Sequence, residues 1–330
     1  MDRNDPIPAA QAAPMARHGR RAALTLGAGA ALATALPGSA QASTTHTTDT
    51  TDTTAAHAST TAGTRLARRF HALERRYAAR LGVYAHDTAT GRTLAYRANE
   101  RFPLCSVFKT LAAAAVLRDL DRDGEYLARR IRYTEEYVTA SGYAPITGTD
   151  ENVAAGMTVA ELCAATVSHS DNGAGNLLLR ELGGPTAITR FARSLGDPTT
   201  RLDRWEPELN TAEPWRRTDI TSPRAIGRTY ARLLLGGVLP LADRELLTGW
   251  LVANTTNTAR FRAGLPADWT LADKTGGGAA YGVANDVGVV RPPGRPPIVL
   301  SVLSTKHAPE GPTDNQLVAL AAELVADALT

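Results

Sequence analysis

Of the 36 Lys and Arg residues in this 330-residue chain, only Lys109, Lys274 and Lys306 are lysine. Arginine serves wherever a permanent positive charge suffices. A lysine adds a compact ammonium, and an amine whose pKa burial can lower until it takes up protons. Lys109 ends the run Ser106-Val107-Phe108-Lys109. A spacing of three puts both side chains on one helical face, where the ammonium can touch the hydroxyl. A serine hydroxyl is a poor nucleophile until a neighbouring base takes its proton. A helix N-terminus would also favour an anion forming at Ser106. Alone, Ser-x-x-Lys equally describes an N-cap serine followed by a solvated lysine. The nearly unbroken apolar run at 110–117 predicts a buried helix there, which favours the chemical reading.

Two further segments carry chemistry. Ser170-Asp171-Asn172 follows a helical run and, by itself, reads as a turn or helix cap. Lys274-Thr275-Gly276-Gly277-Gly278 ends a strand-like stretch. Glycines there let a backbone N–H approach a ligand closely, while Lys274 and Thr275 can meet a carboxylate. A Gly-rich hairpin turn explains the same residues. Lys306 has no companions and is expected at the surface. The seven histidines are scattered, with no H-e-x-x-h pattern or clustered Cys/His ligand set, so no metal and no cofactor are expected. His169, beside Ser170, reads as structural.

Taken in order, S-x-x-K, S-D-N and K-T-G resemble the penicillin-recognising serine enzymes. The run Arg204-Trp205-Glu206-Pro207-Glu208-Leu209-Asn210 resembles a loop of one branch, the class A serine β-lactamases in their actinomycete-like secreted form. In that family the Glu and the Asn four residues later hold the hydrolytic water. Arg204 and Asp219 match the residues that brace the loop. Tyr143, in Tyr-Ala-Pro-Ile, resembles the aromatic residue at the mouth of the family's site. The resemblance covers about residues 65–330.

The resemblance implies hydrolysis of a small-molecule β-lactam through an acyl-enzyme, conferring resistance. Ser106, Lys109, Ser170, Glu206, Asn210 and Lys274 would be catalytic, with Ser170 relaying a proton to the departing lactam nitrogen. Asn172, Thr275, Gly276, Gly277, Tyr143 and Arg260 would bind substrate, and the backbone N–H groups of Ser106 and Gly277 would hold the oxyanion. The acylation base stays open between Lys109 directly and Glu206 through a water. Some positions depart from the family pattern. No arginine follows the K-T-G strand at Tyr281-Gly282-Val283-Ala284, and Arg260 resembles an alternative position. Gly277 replaces a Ser, Thr or Ala, and Ala279-Ala280 looks one residue longer than usual. Cys105 matches half of a bridge whose other position is Gly278. A D-alanyl-D-alanine peptidase shares the three motifs but lacks the Glu206/Asn210 pair. A penicillin receptor that acylates once is the non-enzymatic alternative.

These residues need a scaffold. Leu66, Phe70, Leu73, Tyr77 and Leu81 have helical spacing. Residues 82–85 and 93–96 read as strands around a Thr90-Gly91-Arg92 turn, and 269–274, 286–290 and 297–303 as later strands. Helical patterns fill 106–249, and an amphipathic helix closes the chain at 313–329. This order points to an α+β unit holding a helical insert. The resemblance sharpens it to an α/β sandwich with an antiparallel sheet of about five strands, flanked by N- and C-terminal helices. An inserted all-α subdomain would lie beside it, with the active site between. The domain would occupy 65–330, with 65–100 and 255–330 forming the α/β part and 101–254 the helical part.

Ahead of it, Arg17, Arg20 and Arg21 precede an apolar stretch, 22–36, and Ser39-Ala40-Gln41-Ala42. That is a signal-peptide layout over 1–42, with a twin-arginine pair. The apolar stretch falls short of the roughly 20 residues a spanning helix needs. Residues 43–64, rich in Thr, Ser, Asp and Ala, read as a disordered linker. Cys105 and Cys163 form no disulfide framework and read as buried free thiols. A formal charge of +3 with no dense basic run gives no footprint for nucleic acid. A secreted monomer with no membrane segment in its mature form is expected.

Overall fold

The structure, a computed structural model, describes residues 50–330. Its centre is a five-stranded antiparallel sheet: β1 (Arg80–Asp87), β2 (Thr93–Tyr96), β3 (Thr270–Gly277), β4 (Ala284–Arg291) and β5 (Ile298–Thr305). The spatial order is β2-β1-β5-β4-β3, so strands from both ends of the chain meet in the middle. Every residue of β5 is buried, Ser301, Ser304 and Thr305 included, because a central strand covered on both faces has no use for alternation.

The helices of six or more residues are α1 (Thr50–Tyr77), α2 (Phe108–Ala115), α3 (Glu135–Ser141), α4 (Asp150–Ala155), α5 (Val159–Ser168), α6 (Asn172–Glu181), α7 (Thr186–Ser194), α8 (Pro223–Leu234), α9 (Leu241–Val252) and α10 (Asn315–Leu329). One sheet face, carrying Leu81, Val83, Leu300 and Val302, buries Phe70 of α1 with Leu317 and Val325 of α10. The opposite face, with Tyr84, Val287 and Val299, shares one core with Ile226 and Tyr230 of α8 and with Leu111 and Leu177 deeper in the helical region. The α+β architecture expected from the sequence is present.

Two sequence expectations change. The helix expected over 66–81 ends at Tyr77, because Ala78 turns the chain at φ 46° and Leu81 already pairs within β1. Of the expected linker, residues 50–64 are helical and continue α1, while 43–49 and the expected signal peptide lie outside the described residues. Extending an existing helix adds a hydrogen bond for each residue fixed, without a new nucleus, so a polar tract can follow its apolar neighbour. Among the described residues no helix is long and apolar enough to cross a membrane.

Lys306 is not a free surface lysine. It is buried, with Nζ 2.5 Å from Asp314 Oδ2. Cys105 and Cys163 are buried and unpaired, and burial pushes both thiols up from their usual range.

Candidate active site

Ser106 lies in a short helical turn, Cys105–Val107, that runs directly into α2. Cys105 enters it at φ 45°. The β3 backbone presses against this turn: a Cβ added to Gly276 would stand 3.0 Å from Val107 Cγ2 and 3.3 Å from Leu104 O. From β4, the Asn285 side chain donates to Pro103 O at 2.9 Å. The nucleophile's turn is therefore held against the sheet edge that carries Lys274.

Lys109 is completely buried, and its ammonium meets three acceptors: Asn172 Oδ1 at 2.6 Å, Ser170 O at 2.8 Å and Glu206 Oε1 at 3.1 Å. An ammonium has three N–H donors, so this set uses all of them. The expected contact between Lys109 and Ser106 is made through a third group: Ser106 Oγ donates to the same Glu206 Oε1 at 3.4 Å. Asn210 Nδ2 donates to the other oxygen, Glu206 Oε2.

The Glu206 loop is held from both sides. Asn176 of α6 accepts from Glu206 N at 3.0 Å and donates to Glu206 O at 2.9 Å. Arg204 Nε pairs with Asp219 Oδ2 at 2.6 Å, while Asp219 Oδ1 accepts from the backbone N–H groups of Asp203 and Arg204. Asn176 had no sequence signal, being one asparagine in an apolar helix. A 560 Å³ cavity lined by Tyr137, Asn176, Trp205 and Glu206 also borders this loop, and it contains neither Ser106 nor either site lysine.

Ser170 takes a left-handed conformation, φ 58°, which turns its carbonyl to Lys109. Asp171 makes that turn possible. It caps α6 by accepting from Ala174 N at 2.8 Å, and it also accepts from Ile146 N, Thr147 N and Thr147 Oγ1. Asn172 N donates to Tyr143 O at 2.8 Å, so one aspartate fixes both the S-D-N turn and the segment bearing Tyr143. The Tyr143 ring is 59% exposed. The cap signal was visible in the sequence, but the second anchorage was not.

On β3, Lys274 is fully buried and donates to Thr275 O at 3.0 Å. Burial first, then the nearby Lys109 and Arg260 charges, push its pKa well below the usual lysine range. Thr275 Oγ1 shares a 2.5 Å hydrogen bond with Thr256 Oγ1. Gly277 is exposed, and a Cβ there would sit in ordinary contact, 3.7 Å from Arg260 Nη2. Arg260 is anchored by Nη1 to Gly276 O and Asn285 O and by Nε to Asn315 Oδ1. Its remaining nitrogen is the one nearest Gly277. The Ser106 turn, the S-D-N turn, the Glu206 loop and the end of β3 thus lie together, with Lys109 and Lys274 buried beneath them and Tyr143 exposed.

A serine hydroxyl beside a carboxylate and a buried lysine, on a five-stranded antiparallel sheet with a helical region, is an arrangement suited to acyl transfer. A family model described as the beta-lactamase enzyme family matches residues 65–329. A β-lactamase of Kitasatospora aureofaciens is 66% identical over 313 residues, covering 94% of this chain and 97% of the relative. A carbapenem-hydrolysing β-lactamase KPC of Klebsiella oxytoca is 47% identical, covering 82% and 92%. The structure of the Streptomyces albus G β-lactamase superposes with a TM-score of 0.80 at 63% identity, covering 81% of this chain and all of that one. An ancestral class A β-lactamase superposes at 0.75 with 51% identity, covering 80% and 99%. The chain belongs to the β-lactamase enzyme family, in its class A branch.

Proposed function

We propose that this protein hydrolyses the β-lactam ring of penicillin-like antibiotics through an acyl-enzyme on Ser106, and so confers β-lactam resistance. The observation that carries the reading is Glu206, whose Oε1 meets both Ser106 Oγ and Lys109 Nζ while Oε2 is held by Asn210. In acylation, Ser106 Oγ attacks the lactam carbonyl and gives up its proton. The proton goes to the Lys109–Glu206 pair, whose Nζ and Oε1 stand 3.1 Å apart, so acylation keeps a base when Glu206 alone is replaced. The oxyanion falls to the N–H groups of Ser106 and Gly277, where losing one donor typically costs about 10²–10³ in rate. Ser170 relays the proton taken from Ser106 to the lactam nitrogen as the C–N bond breaks, so its own hydroxyl and the Lys109–Glu206 pair end as they began. The substrate carboxylate is met by Lys274, Thr275 and Arg260, with Asn172, Gly276, Gly277 and Tyr143 around the rest.

Deacylation separates an enzyme from a protein trapped by its own adduct. Glu206 and Asn210 orient a water, Glu206 takes its proton as the water attacks the ester, and it hands that proton to Ser106 Oγ as the ester C–O bond breaks. The Glu206→Gln variant is expected to acylate but to accumulate a penicilloyl adduct on Ser106, with turnover down roughly 10²–10⁴-fold. Intact-protein mass spectrometry during penicillin hydrolysis tests this, and full turnover without an adduct overturns the assignment. The same reading makes the mature protein a secreted monomer, released after removal of residues 1–42. Its domain spans 65–330, with the α/β part at 65–100 and 255–330 and the helical part at 101–254.

A further inference from the structure

We propose that a row of arginines along α8, Arg224, Arg228 and Arg232, binds clustered phosphate groups of the kind carried by a di- or triphosphate. The three stand at intervals of four, so they share one face of the helix, about 6 Å apart along its axis. They line a 330 Å³ cavity closed by Asn99 and by the loop after α7 that holds Gly196 and Asp197. No residue of the Ser106 site borders it. Contacts within the protein leave most of the arginine donors free. Arg224 Nε donates to Asn99 Oδ1 at 2.8 Å and Arg232 Nη1 to Leu195 O, both uncharged acceptors. Arg228 is exposed, and among the described residues it has no hydrogen bond, ion pair or ring contact. Gly196, at φ 70°, keeps the space beside Arg232 clear: an added Cβ would stand 3.3 Å from its Nη1.

The nearby carboxylates do not neutralise the row. Asp197 lines the cavity but is buried, and its oxygens already accept from Thr199 N, Thr200 N, Thr200 Oγ1 and Thr229 Oγ1. Glu100, next to Asn99, is paired with Arg80 and Arg97. Three cations thus border the cavity against one carboxylate turned into the fold. Like charges four residues apart destabilise a helix, and a cation in its first turn opposes the helix dipole. Arg224, the second residue of α8, stands in that turn. A bound anion reverses both effects. Each guanidinium presents a planar fork of donors that fits phosphate oxygens in pairs. Three forks spread over about 12 Å match a chain of phosphates better than one small anion. The cavity lies at the lower end of the roughly 300–1,000 Å³ typical of ligand sites, which suits a compact chain. The site stands apart from the lactam chemistry and does not rest on it.

Isothermal titration calorimetry with sodium tripolyphosphate, in about 0.15 M NaCl to screen diffuse attraction, tests the site. The native protein should bind one equivalent. Inorganic monophosphate should bind about tenfold more weakly or worse, because a single phosphate reaches only part of the row. Arg228→Gln breaks no contact within the protein, so it should fold and hydrolyse nitrocefin as the native protein does. It should nevertheless bind tripolyphosphate about tenfold more weakly, the worth of one charge-assisted contact. Arg68→Gln, at an exposed residue of α1, removes the same charge elsewhere and should leave the affinity unchanged. Adenosine triphosphate separates the sources of the phosphates. An affinity within a few-fold of tripolyphosphate shows that the phosphates are what is recognised, whereas binding of the nucleotide alone overturns the proposal. It is overturned equally by a lack of saturable binding, by native affinity in Arg228→Gln, or by equal losses in Arg228→Gln and Arg68→Gln.

Discussion

At Glu206, one oxygen serves two partners of opposite need: it accepts the proton of Ser106 and neutralises the cation of Lys109. Such an arrangement tolerates little displacement, and the glycines beside it differ sharply in what they allow. Gly276 is required by contact, since its Cβ would meet Val107 Cγ2 at 3.0 Å and Leu104 O at 3.3 Å. A Cβ on Gly277 would make only ordinary contacts, 3.7 Å from Arg260 Nη2 and 3.8 Å from Val283 O. The Gly276→Ala variant should lose about 1–3 kcal/mol through overpacking, and should also lose kcat/KM as β3 moves off the Ser106 turn. Gly277→Ala should stay within about 0.5 kcal/mol of the native protein. Thermal denaturation and nitrocefin hydrolysis of the two variants check this, and a larger stability loss at Gly277 would contradict it.

At the scale of elements, the join of α1 to the sheet depends on Glu74. Its carboxylate accepts from Leu81 N at 2.9 Å where α1 ends, from Tyr96 OH at 2.6 Å and from Arg97 Nε at 2.9 Å beyond β2. Burial opposes ionisation of Glu74, but Arg97, the Leu81 N–H and Tyr96 outweigh it and hold its pKa below the usual range. A depressed carboxyl pKa contributes stability that is present above the unfolded value, about 4.3, and is lost as pH falls through the folded one. Glu74→Gln should therefore cost about 1.5–3 kcal/mol at pH 7, and the gap should close in acid. Urea midpoints at neutral and acidic pH measure this; a gap that persists unchanged in acid would rule out the ionic contribution. The helical periodicity of 66–77 was legible in the sequence. The end of the helix was not, because Leu81 fits the apolar spacing of the helix as well as that of β1.

Across the whole molecule, the sheet and the helical region do not have separate cores. Tyr84, Val287 and Val299 of the sheet belong to the same buried cluster as Leu111, Leu177, Ile226 and Leu247. An unfolding event that opened the helical region would expose one face of the sheet, so the two parts should unfold together. Far-UV circular dichroism and tryptophan fluorescence should report coincident urea transitions. The probes sample both parts, with Trp250 in α9 and Trp269 before β3. Two separated transitions would mean that residues 101–254 form an independent folding unit.

What the sequence determined alone was local chemistry and local periodicity. Lysine scarcity marked Lys109 and Lys274, three short motifs marked Ser106, Ser170, Asn172 and Thr275, and β-branched runs marked the strands. Such features depend on neighbours a few residues away. The tertiary structure alone decided which distant groups touch. Ser106 and Glu206 are 100 positions apart, and Lys109 and Asn172 are 63. Asn176 looked like any helix residue until Glu206 folded against it, and Lys306 looked solvated until Asp314 reached it. Contacts between residues so far apart in the chain exist only once the packed fold brings them together.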